Sequence, residues 1–196
     1  MYICLEGIDG AGKSTQLNYV GEWLIESGFK VRKVCEPTNS DVGKLLRKLL
    51  KSPDANREDM QKVFGLLFAA DRLILKNELE KYEENNEIII SDRSFYSSLA
   101  YQIHQDWINS LNKYAKKPDL VILIDITPDL AMKRCLKDDT FENKSFLNDV
   151  RENYLKLLSK NENFRKVDGS NGENKVKSDI KKAIAPLLGI CIGGIR

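Results

Sequence analysis

The run Gly7-Ile8-Asp9-Gly10-Ala11-Gly12-Lys13-Ser14 spells G-x-x-x-x-G-K-S, the pattern of a phosphate-binding loop. It follows an apolar strand candidate, Tyr2–Leu5, and leads into a helix whose apolar stripe starts at Leu17. Glycines allow the backbone to wrap closely around a phosphate, and the helix N-terminus directs N–H groups at the anion. The sequence therefore predicts a nucleoside triphosphate site, because motif and context agree.

Within this loop, we expect Lys13 to reach the β- and γ-phosphates and the Ser14 hydroxyl to bind Mg²⁺. The alternative is a glycine-rich turn that holds Lys and Ser by chance, and the strand-to-helix context argues against it. The residues predicted to contact the bound nucleotide are Gly7, Ile8, Asp9, Gly10, Ala11, Gly12, Lys13, Ser14 and Thr15.

The composition is that of one globular domain over residues 1–196. The formal net charge is only +2, so net charge implies no nucleic-acid partner. Four scattered cysteines and a single histidine disfavour a metal cage or a disulfide framework. Cys4 and Cys35 fall in predicted strands, where we expect small buried side chains in a reducing compartment. Met1 runs straight into the first strand, and no apolar segment is long enough to cross a membrane, so we expect a cytoplasmic protein.

Strand and helix patterns alternate along the whole chain, which predicts a doubly wound, five-stranded parallel sheet flanked by helices. The predicted strands are Tyr2–Leu5, Lys30–Cys35, Glu87–Ile90, Leu120–Ile126 and Phe164–Val167. Helices are expected after Ser14 and at 41–50, 57–82, 94–114, 129–137, 145–159 and 172–188. The run Val63–Leu75 is so apolar that we expect the middle of its helix to be buried.

Three polar clusters follow the predicted strands and helices at one edge of the sheet. Asp92 and Arg93 follow a strand directly, where a carboxylate suits Mg²⁺ and a guanidinium suits a phosphate. Phe68 and Arg72 lie four residues apart and share one helix face, so they could stack on a base and bind its oxygen. The segment Ser97–Gln102 adds hydroxyls and an amide. Taken alone, these clusters are also compatible with a surface ion pair, a core phenylalanine and an ordinary polar helix start.

Taken together, these motifs resemble the thymidylate kinase family. The chain carries L-E-G-I-D-G-A-G-K-S, then E-P-T, L-F-A-A-D-R, S-D-R, S-S-L-A-Y-Q and P-D-L-V-I-L-I-D-I-T-P, in the family's order. The similarity covers about residues 1 to 170. It implies a nucleoside monophosphate kinase that transfers the γ-phosphoryl group of ATP to dTMP with Mg²⁺, and it implies a homodimer.

The resemblance also implies roles for individual side chains at the donor and acceptor phosphates. Asp9 would contact the acceptor's sugar hydroxyl and phosphate, and Arg93 would hold the acceptor phosphate. Phe68 would stack on thymine, and Arg72 would bind a thymine oxygen. Arg47 is a weaker candidate for the acceptor phosphate.

Further positions of the family's acceptor pocket match this chain. Ser98 lies where the family has a small polar residue that reads thymine. Tyr101 would lie against the sugar and exclude a 2′-hydroxyl, while Gln102 adds an amide near sugar and base. Pro37 and Tyr154 line the same pocket in relatives.

The chain departs from the family pattern in the placement of one arginine. One group of the family carries it inside the P-loop and another in a lid after the fourth strand. Here the variable loop positions are Gly10 and Ala11, and the segment 138–144 of the expected lid near 134–146 contains no arginine. We therefore predict that Arg134 and Arg151 clamp the phosphates. The other basic residues beside this segment are Lys137 and Lys144.

The sequence leaves two other functions open. One is a kinase of a different nucleotide or nucleoside on the same fold. The other is a P-loop regulatory ATPase that signals through a partner. A GTPase is disfavoured, because no N-K-x-D motif is present.

Overall fold

A computed structural model describes residues 1–135 and 144–191. Its centre is a five-stranded parallel sheet with the strand order β2-β3-β1-β4-β5. The strands are β1 (Tyr2–Glu6), β2 (Val31–Cys35), β3 (Ile88–Asp92), β4 (Leu120–Asp125) and β5 (Phe164–Asp168). The prediction of a doubly wound parallel sheet is confirmed, and every strand lies within two residues of its predicted bounds.

Helices cover both faces of this sheet. In the described part of the chain they are α1 (Lys13–Glu26), α2 (Asp41–Leu49), α3 (Glu58–Glu84), α4 (Phe95–Tyr101), α5 (Gln105–Leu111), α6 (Pro128–Arg134), α7 (Lys144–Lys160) and α8 (Glu173–Ile184), followed by a 3₁₀ helix, Ala185–Leu188. None of the described helices is both long enough and apolar enough to cross a bilayer.

The strand order places the P-loop at the middle of the sheet. β1 pairs with β3 through Tyr2↔Ile89 and with β4 through Ile3↔Leu120, so β1 is buried on both sides. Ile3, Cys4 and Leu5 of β1 belong to the main core, which the apolar stripes of α1, α7 and α8 complete. In open parallel sheets, ligands bind at the carboxyl ends of the strands where the strand order reverses. The loop after β1 lies at this position.

Local sequence signals fix several helix ends. Pro128 occupies the first turn of α6, and the Thr127 hydroxyl accepts a hydrogen bond from the Leu130 amide at 3.4 Å. Ser40 caps α2 by accepting from the Gly43 amide at 3.0 Å. Gly28, with a φ of +91°, ends the first helical segment as predicted.

Five structural expectations need correction. The predicted helix 94–114 is two short helices, because His104 adopts a φ of +59° between them. The last helix changes to 3₁₀ geometry at Ala185, next to Pro186. Cys35 is exposed rather than buried, because β2 is an edge strand. The middle of α3 is buried on one face only, and side chains such as Leu66 are exposed on the other. The predicted helix 129–137 ends at Arg134, and Lys137 lies outside the described residues.

Candidate active site

Two positions of the P-loop backbone, Gly7 and Gly10, have no space for a side chain. Gly7 has a φ of +145°, and a Cβ there would lie 2.5 Å from the Ile124 carbonyl oxygen. Gly10 has a φ of +77°, and a Cβ there would lie 2.6 Å from the Ala131 carbonyl oxygen. Ala11 is buried. The two variable loop positions therefore have no room for an outward arginine, which explains why the loop itself supplies no such cation.

The Lys13 side chain folds back into the loop and binds its carbonyl oxygens. Its Nζ donates to the carbonyl oxygens of Gly7 and Ile8, both at 3.0 Å, and lies 3.6 Å from Asp9 Oδ1. Burial and the positive charge of Arg93 lower the pKa of Lys13. The ammonium group is thus held at the centre of the loop by neutral carbonyls, where it can meet an anion.

Ser14 and Asp92 form a pair of oxygen ligands beside the loop. The Ser14 hydroxyl donates to Asp92 Oδ2 at 2.6 Å, which joins the first turn of α1 to the end of β3. Mg²⁺ prefers oxygen ligands and usually takes one or two from the protein, the remainder coming from phosphates and water. This hydroxyl and carboxylate pair fits that requirement.

Arg93 follows β3 in a left-handed backbone conformation, with a φ of +75°. Such a conformation is uncommon outside glycine and costs free energy, so the surroundings must hold it. The Arg93 amide donates to the Leu5 carbonyl at 3.0 Å, and the Ser91 hydroxyl donates to the Arg93 carbonyl at 2.5 Å. β1 and β3 together therefore fix the direction in which this side chain leaves the sheet.

The Arg93 guanidinium meets the P-loop. Nη2 donates to Asp9 Oδ1 and to the Tyr101 hydroxyl at 3.3 Å, and the guanidinium lies 5.0 Å from the centre of the Tyr101 ring. Nη1 donates to the Ser97 hydroxyl at 2.9 Å. Burial alone would lower the pKa of Arg93, but Tyr101, Asp9 and other neighbours raise it well above its ordinary value. Arg93 is therefore a permanent cation beside Asp9.

One cavity of about 510 Å³ joins these groups. It is lined by Asp9, Gly10, Gly12, Lys13, Ser14, Thr15, Cys35, Glu36, Pro37, Arg47, Asp92, Arg93 and Arg134. The structure thus brings together P-loop residues, the E-P-T loop, the S-D-R segment and Arg134, one of the two arginines predicted for the lid. Of the predicted nucleotide contacts, Gly7, Ile8 and Ala11 do not line this cavity.

A second, deeper cluster surrounds Arg72. Its Nε donates to Glu36 Oε2 at 2.6 Å, and Nη1 donates to Ser98 Oγ at 2.9 Å and to Asn112 Oδ1 at 2.8 Å. Nη2 donates to the Ser94 carbonyl at 3.2 Å, and the guanidinium lies 5.2 Å from the Phe68 ring centre. Burial raises the pKa of Glu36, although Arg72 opposes that shift. Glu36 also lines the cavity and so connects it with this cluster.

The E-P-T loop is held between α2 and α3. Asp71 accepts hydrogen bonds from the Thr38 amide at 2.7 Å and from the hydroxyls of Thr38 and Ser40, both at 2.6 Å. From the other side, Arg47 donates to the carbonyl oxygens of Pro37 and Thr38. The Glu36–Pro37 peptide bond is cis. These contacts place Pro37 at the cavity wall.

The remaining predicted acceptor residues lie around Arg93 and Arg72. Tyr154 is buried on α7, and its hydroxyl donates to Glu6 Oε2 at 2.8 Å. Burial and the charge of Glu6 raise the pKa of Tyr154 well above its ordinary value. Gln102 is buried and directs its Nε2 at the Gln61 carbonyl, 3.5 Å away, rather than at the cavity.

The two arginines predicted for the lid have different surroundings. Arg134 lines the cavity, and its Nη2 donates to the Gly169 carbonyl at 3.0 Å. Arg151 instead makes a bidentate pair with Asp125, with N–O distances of 2.6 and 3.0 Å. It is not among the residues that line the cavity. Residues 136–143, most of the predicted lid, lie outside the described residues.

Comparison with known proteins gives the family. A protein-family model described as "Thymidylate kinase" matches residues 5–180. The chain belongs to the thymidylate kinase family. It is 54% identical to a protein of Methanobrevibacter smithii named "Probable thymidylate kinase", over the full length of both chains. It is 46% identical, again over both full lengths, to a protein of the same name from Methanothermobacter thermautotrophicus. A third, from Methanosphaera stadtmanae, is 49% identical over 96% of this chain and 99% of its own length.

For this thymidylate kinase family member, sequence reasoning assigned no role to several polar residues of the site. The residues concerned are Glu6, Glu36, Asp71 and Asn112. Two of them could have been identified from the sequence, because Glu6 lies in an apolar strand and Asp71 in an apolar stretch of helix. A charged residue in such a run is rarely buried without partners.

Proposed function

We propose that this chain transfers the γ-phosphoryl group of ATP to the 5′-phosphate of dTMP, giving dTDP and ADP. An acceptor phosphate oxygen forms the new bond to the γ-phosphorus, and the bond from that phosphorus to the β–γ bridging oxygen breaks. The electron pair of the broken bond stays on ADP. A phosphate monoester has a second pKa of about 6, so the acceptor is largely dianionic at neutral pH and needs no strong base.

The observation that carries this proposal is the placement of Lys13 and Arg93 on the two sides of Asp9. Lys13 lies 3.6 Å from Asp9 Oδ1, and Arg93 Nη2 donates to the same oxygen. One cation belongs to the donor loop and the other to the proposed acceptor site, and both line one cavity. Two phosphates bound there would lie close enough for in-line transfer, and catalysis consists of positioning and charge neutralisation.

Mg²⁺ would be held by Ser14 and Asp92, the oxygen pair beside the P-loop. When bound, the ion would neutralise charge on the donor phosphates. The P-loop residues Gly7 to Thr15 would hold those phosphates through backbone N–H groups.

Base recognition is proposed for the cluster around Arg72. Four of its five N–H groups have partners among the described residues, and the fifth, on Nη2, would donate to a thymine oxygen. Phe68 would stack on the ring, and Ser98 would read its polar edge. Tyr101 would lie against the sugar, where its ring leaves no room for a 2′-hydroxyl.

The rest of the acceptor pocket and the lid complete the proposal. Pro37, Tyr154 and Gln102 would form its walls. Arg134 and Arg151 would clamp the transferring phosphate when a lid near residues 134–146 closes over a single kinase domain. Closure would exclude water and limit ATP hydrolysis.

We also propose a homodimer in the cytoplasm. The outward face of α3 carries large apolar side chains, with Leu66 54% exposed and Ile74 45% exposed. A contiguous apolar stripe of this kind is typical of an interface between chains. Cys4, Cys35 and Cys191 are free thiols, which fits a reducing compartment.

A panel of nucleoside monophosphates tests the proposed reaction. With ATP and Mg²⁺, we expect ADP release to depend on dTMP and to be much slower with ribothymidine monophosphate, dCMP, dAMP or dGMP. Lys13→Ala should abolish the dTMP-dependent release. Equal release with several acceptors would indicate a different nucleotide kinase, and acceptor-independent release would indicate a regulatory ATPase.

A further inference from the structure

Glu6, at the end of β1, is a carboxylate with 0% of its surface exposed. A buried charge requires partners, and usually the partner is a cation. Among the described residues, Glu6 instead accepts four hydrogen bonds and contacts the Cys4 thiol. Oε1 accepts from the Ser94 amide at 2.9 Å and the Ser94 hydroxyl at 2.8 Å. Oε2 accepts from Ser97 Oγ at 2.7 Å and from the Tyr154 hydroxyl at 2.8 Å.

These hydrogen bonds fix the direction of two hydroxyl protons. A hydroxyl has one proton to donate, and a carboxylate can only accept. The hydroxyl oxygens of Ser97 and Tyr154 also lie 3.0 Å apart, where either could donate to the other. Both are closer to Glu6 Oε2, at 2.7 and 2.8 Å, and a charged acceptor makes the stronger hydrogen bond. Both protons therefore point at Glu6, and the lone pairs of both oxygens face away from it. Arg93 Nη1 lies on that side, 2.9 Å from Ser97 Oγ and 3.5 Å from the Tyr154 oxygen. The guanidinium thus donates to two hydroxyl oxygens, those of Ser97 and Tyr154, whose orientation Glu6 sets.

We propose that Glu6 is a positioning residue that orients Arg93 through the hydroxyls of Ser97 and Tyr154. This inference rests on the proposed role of Arg93 in holding the acceptor phosphate. Its value lies in the separation of the two charges. Asp9 already accepts from Nη2, and a second carboxylate in direct contact would compete with the phosphate for the rest of the guanidinium. Glu6, placed behind two hydroxyls, fixes the direction of the fork without such a contact.

The isosteric change Glu6→Gln tests this role. An amide replaces one carboxylate oxygen by an NH₂ group, which donates and cannot accept. The Ser94 backbone amide can only donate, so the remaining oxygen stays on its side and the NH₂ group faces Ser97 and Tyr154. Their hydroxyl protons then lose their common acceptor, and the orientation of Arg93 is no longer fixed. We expect the KM for dTMP to rise at least tenfold, while the KM for ATP changes less than threefold.

A combination with Arg93→Ala distinguishes positioning from a purely structural role. If Glu6 acts through Arg93, Glu6→Gln has no further effect on the KM for dTMP once Arg93 is alanine. The matched control is Glu87→Gln, a second buried carboxylate, which pairs with Arg32 away from the site and should leave both KM values unchanged. An unchanged KM for dTMP in Glu6→Gln, or a full additional effect in the Arg93→Ala background, would overturn the proposal.

The hydroxyls provide a second route if Glu6→Gln does not fold. Ser97→Ala combined with Tyr154→Phe removes both hydroxyls and leaves Glu6 in place, and it should raise the KM for dTMP at least tenfold with little change for ATP. A wild-type KM for dTMP in this double variant would contradict the proposal. If the wild-type enzyme prefers another monophosphate, the proposed function fails, and the same comparisons are made with that acceptor because Arg93 binds its phosphate.

Discussion

The proposed chemistry of the lid depends on Arg134 and Arg151. The backbone at Gly10 and the burial of Ala11 leave the P-loop without an arginine, so the cation must come from elsewhere. Among the described residues, Arg134 is anchored through the Gly169 carbonyl, and it lines the cavity. Arg151 is already neutralised by Asp125. The proposed clamp therefore requires Arg151 to exchange a carboxylate for a phosphate.

We predict that Arg134→Ala and Arg151→Ala each reduce kcat for dTMP phosphorylation at least tenfold. A tenfold loss corresponds to about 1.4 kcal/mol of lost transition-state stabilisation. Lys133→Ala, on the exposed side of α6, is the matched control and should keep the wild-type kcat. Steady-state kinetics with dTMP measures all three. If Arg151→Ala keeps the wild-type kcat, the predicted role of Arg151 in catalysis is wrong, and its role is limited to the ion pair with Asp125.

At the level of single residues, the sequence predicted which side chains meet but not how they are held. Asp9, Lys13 and Arg93 converge as the motifs indicated, because each follows a strand end at one sheet edge. The supporting partners were not predictable, because they depend on contacts between distant segments. Asn112 reaches Arg72 across 40 residues of sequence, and Tyr154 reaches Glu6 across 148.

Among the elements, α3 has the largest part in shaping the proposed acceptor side of the site. Two adjacent residues of α3 hold the E-P-T loop from one side: Asp71 contacts Thr38, and Arg72 contacts Glu36. The loop cannot move away from α3 without breaking a buried ion pair. Loss of one member of such a pair leaves an uncompensated buried charge, which is strongly destabilising.

The Glu36 ion pair predicts a particular pH dependence of stability. Burial raises the folded-state pKa of Glu36, so the folded protein binds this proton more tightly than the unfolded chain does. The stabilisation from this proton is present at acidic pH and is lost as the pH rises through the raised pKa. We therefore expect the free energy of unfolding of the wild type, relative to Glu36→Gln, to fall with rising pH and then level off. Urea unfolding of both proteins between about pH 4 and pH 8 measures it, and a pH-independent difference would contradict it.

At the level of elements, the five strands and their parallel direction were predictable from apolar runs that alternate with helices. Helix interruptions were harder to predict. His104 takes a left-handed conformation between α4 and α5, and no glycine or proline marks that position in the sequence. The side-chain pattern of Ser94–Tyr114 reads as helical, because the break is imposed by packing between α3, α4 and α5 rather than by local preference.

For the whole molecule, the apolar side chains in the middle of α3 lie in two different environments. Phe64 and Leu75 enter cores within the chain, whereas Leu66, Leu73 and Ile74 point outward. From the sequence, the whole run appeared suited to burial within one chain, because hydrophobicity alone does not distinguish a core from an interface. Burial of the outward stripe by a second copy would account for its composition.

The assembly prediction follows from this stripe. We expect the wild-type protein to have twice the 22.4 kDa mass of one chain in light scattering at micromolar concentration. Leu66→Glu combined with Ile74→Glu places two charges in the proposed interface, and desolvating them should dissociate the dimer to single chains. Ile25→Glu is the matched control, since Ile25 is 56% exposed on α1 and lies outside the stripe, so this variant should keep the dimer mass. A wild-type mass of one chain, or equal dissociation by Ile25→Glu, would show that the outward face of α3 is not the interface.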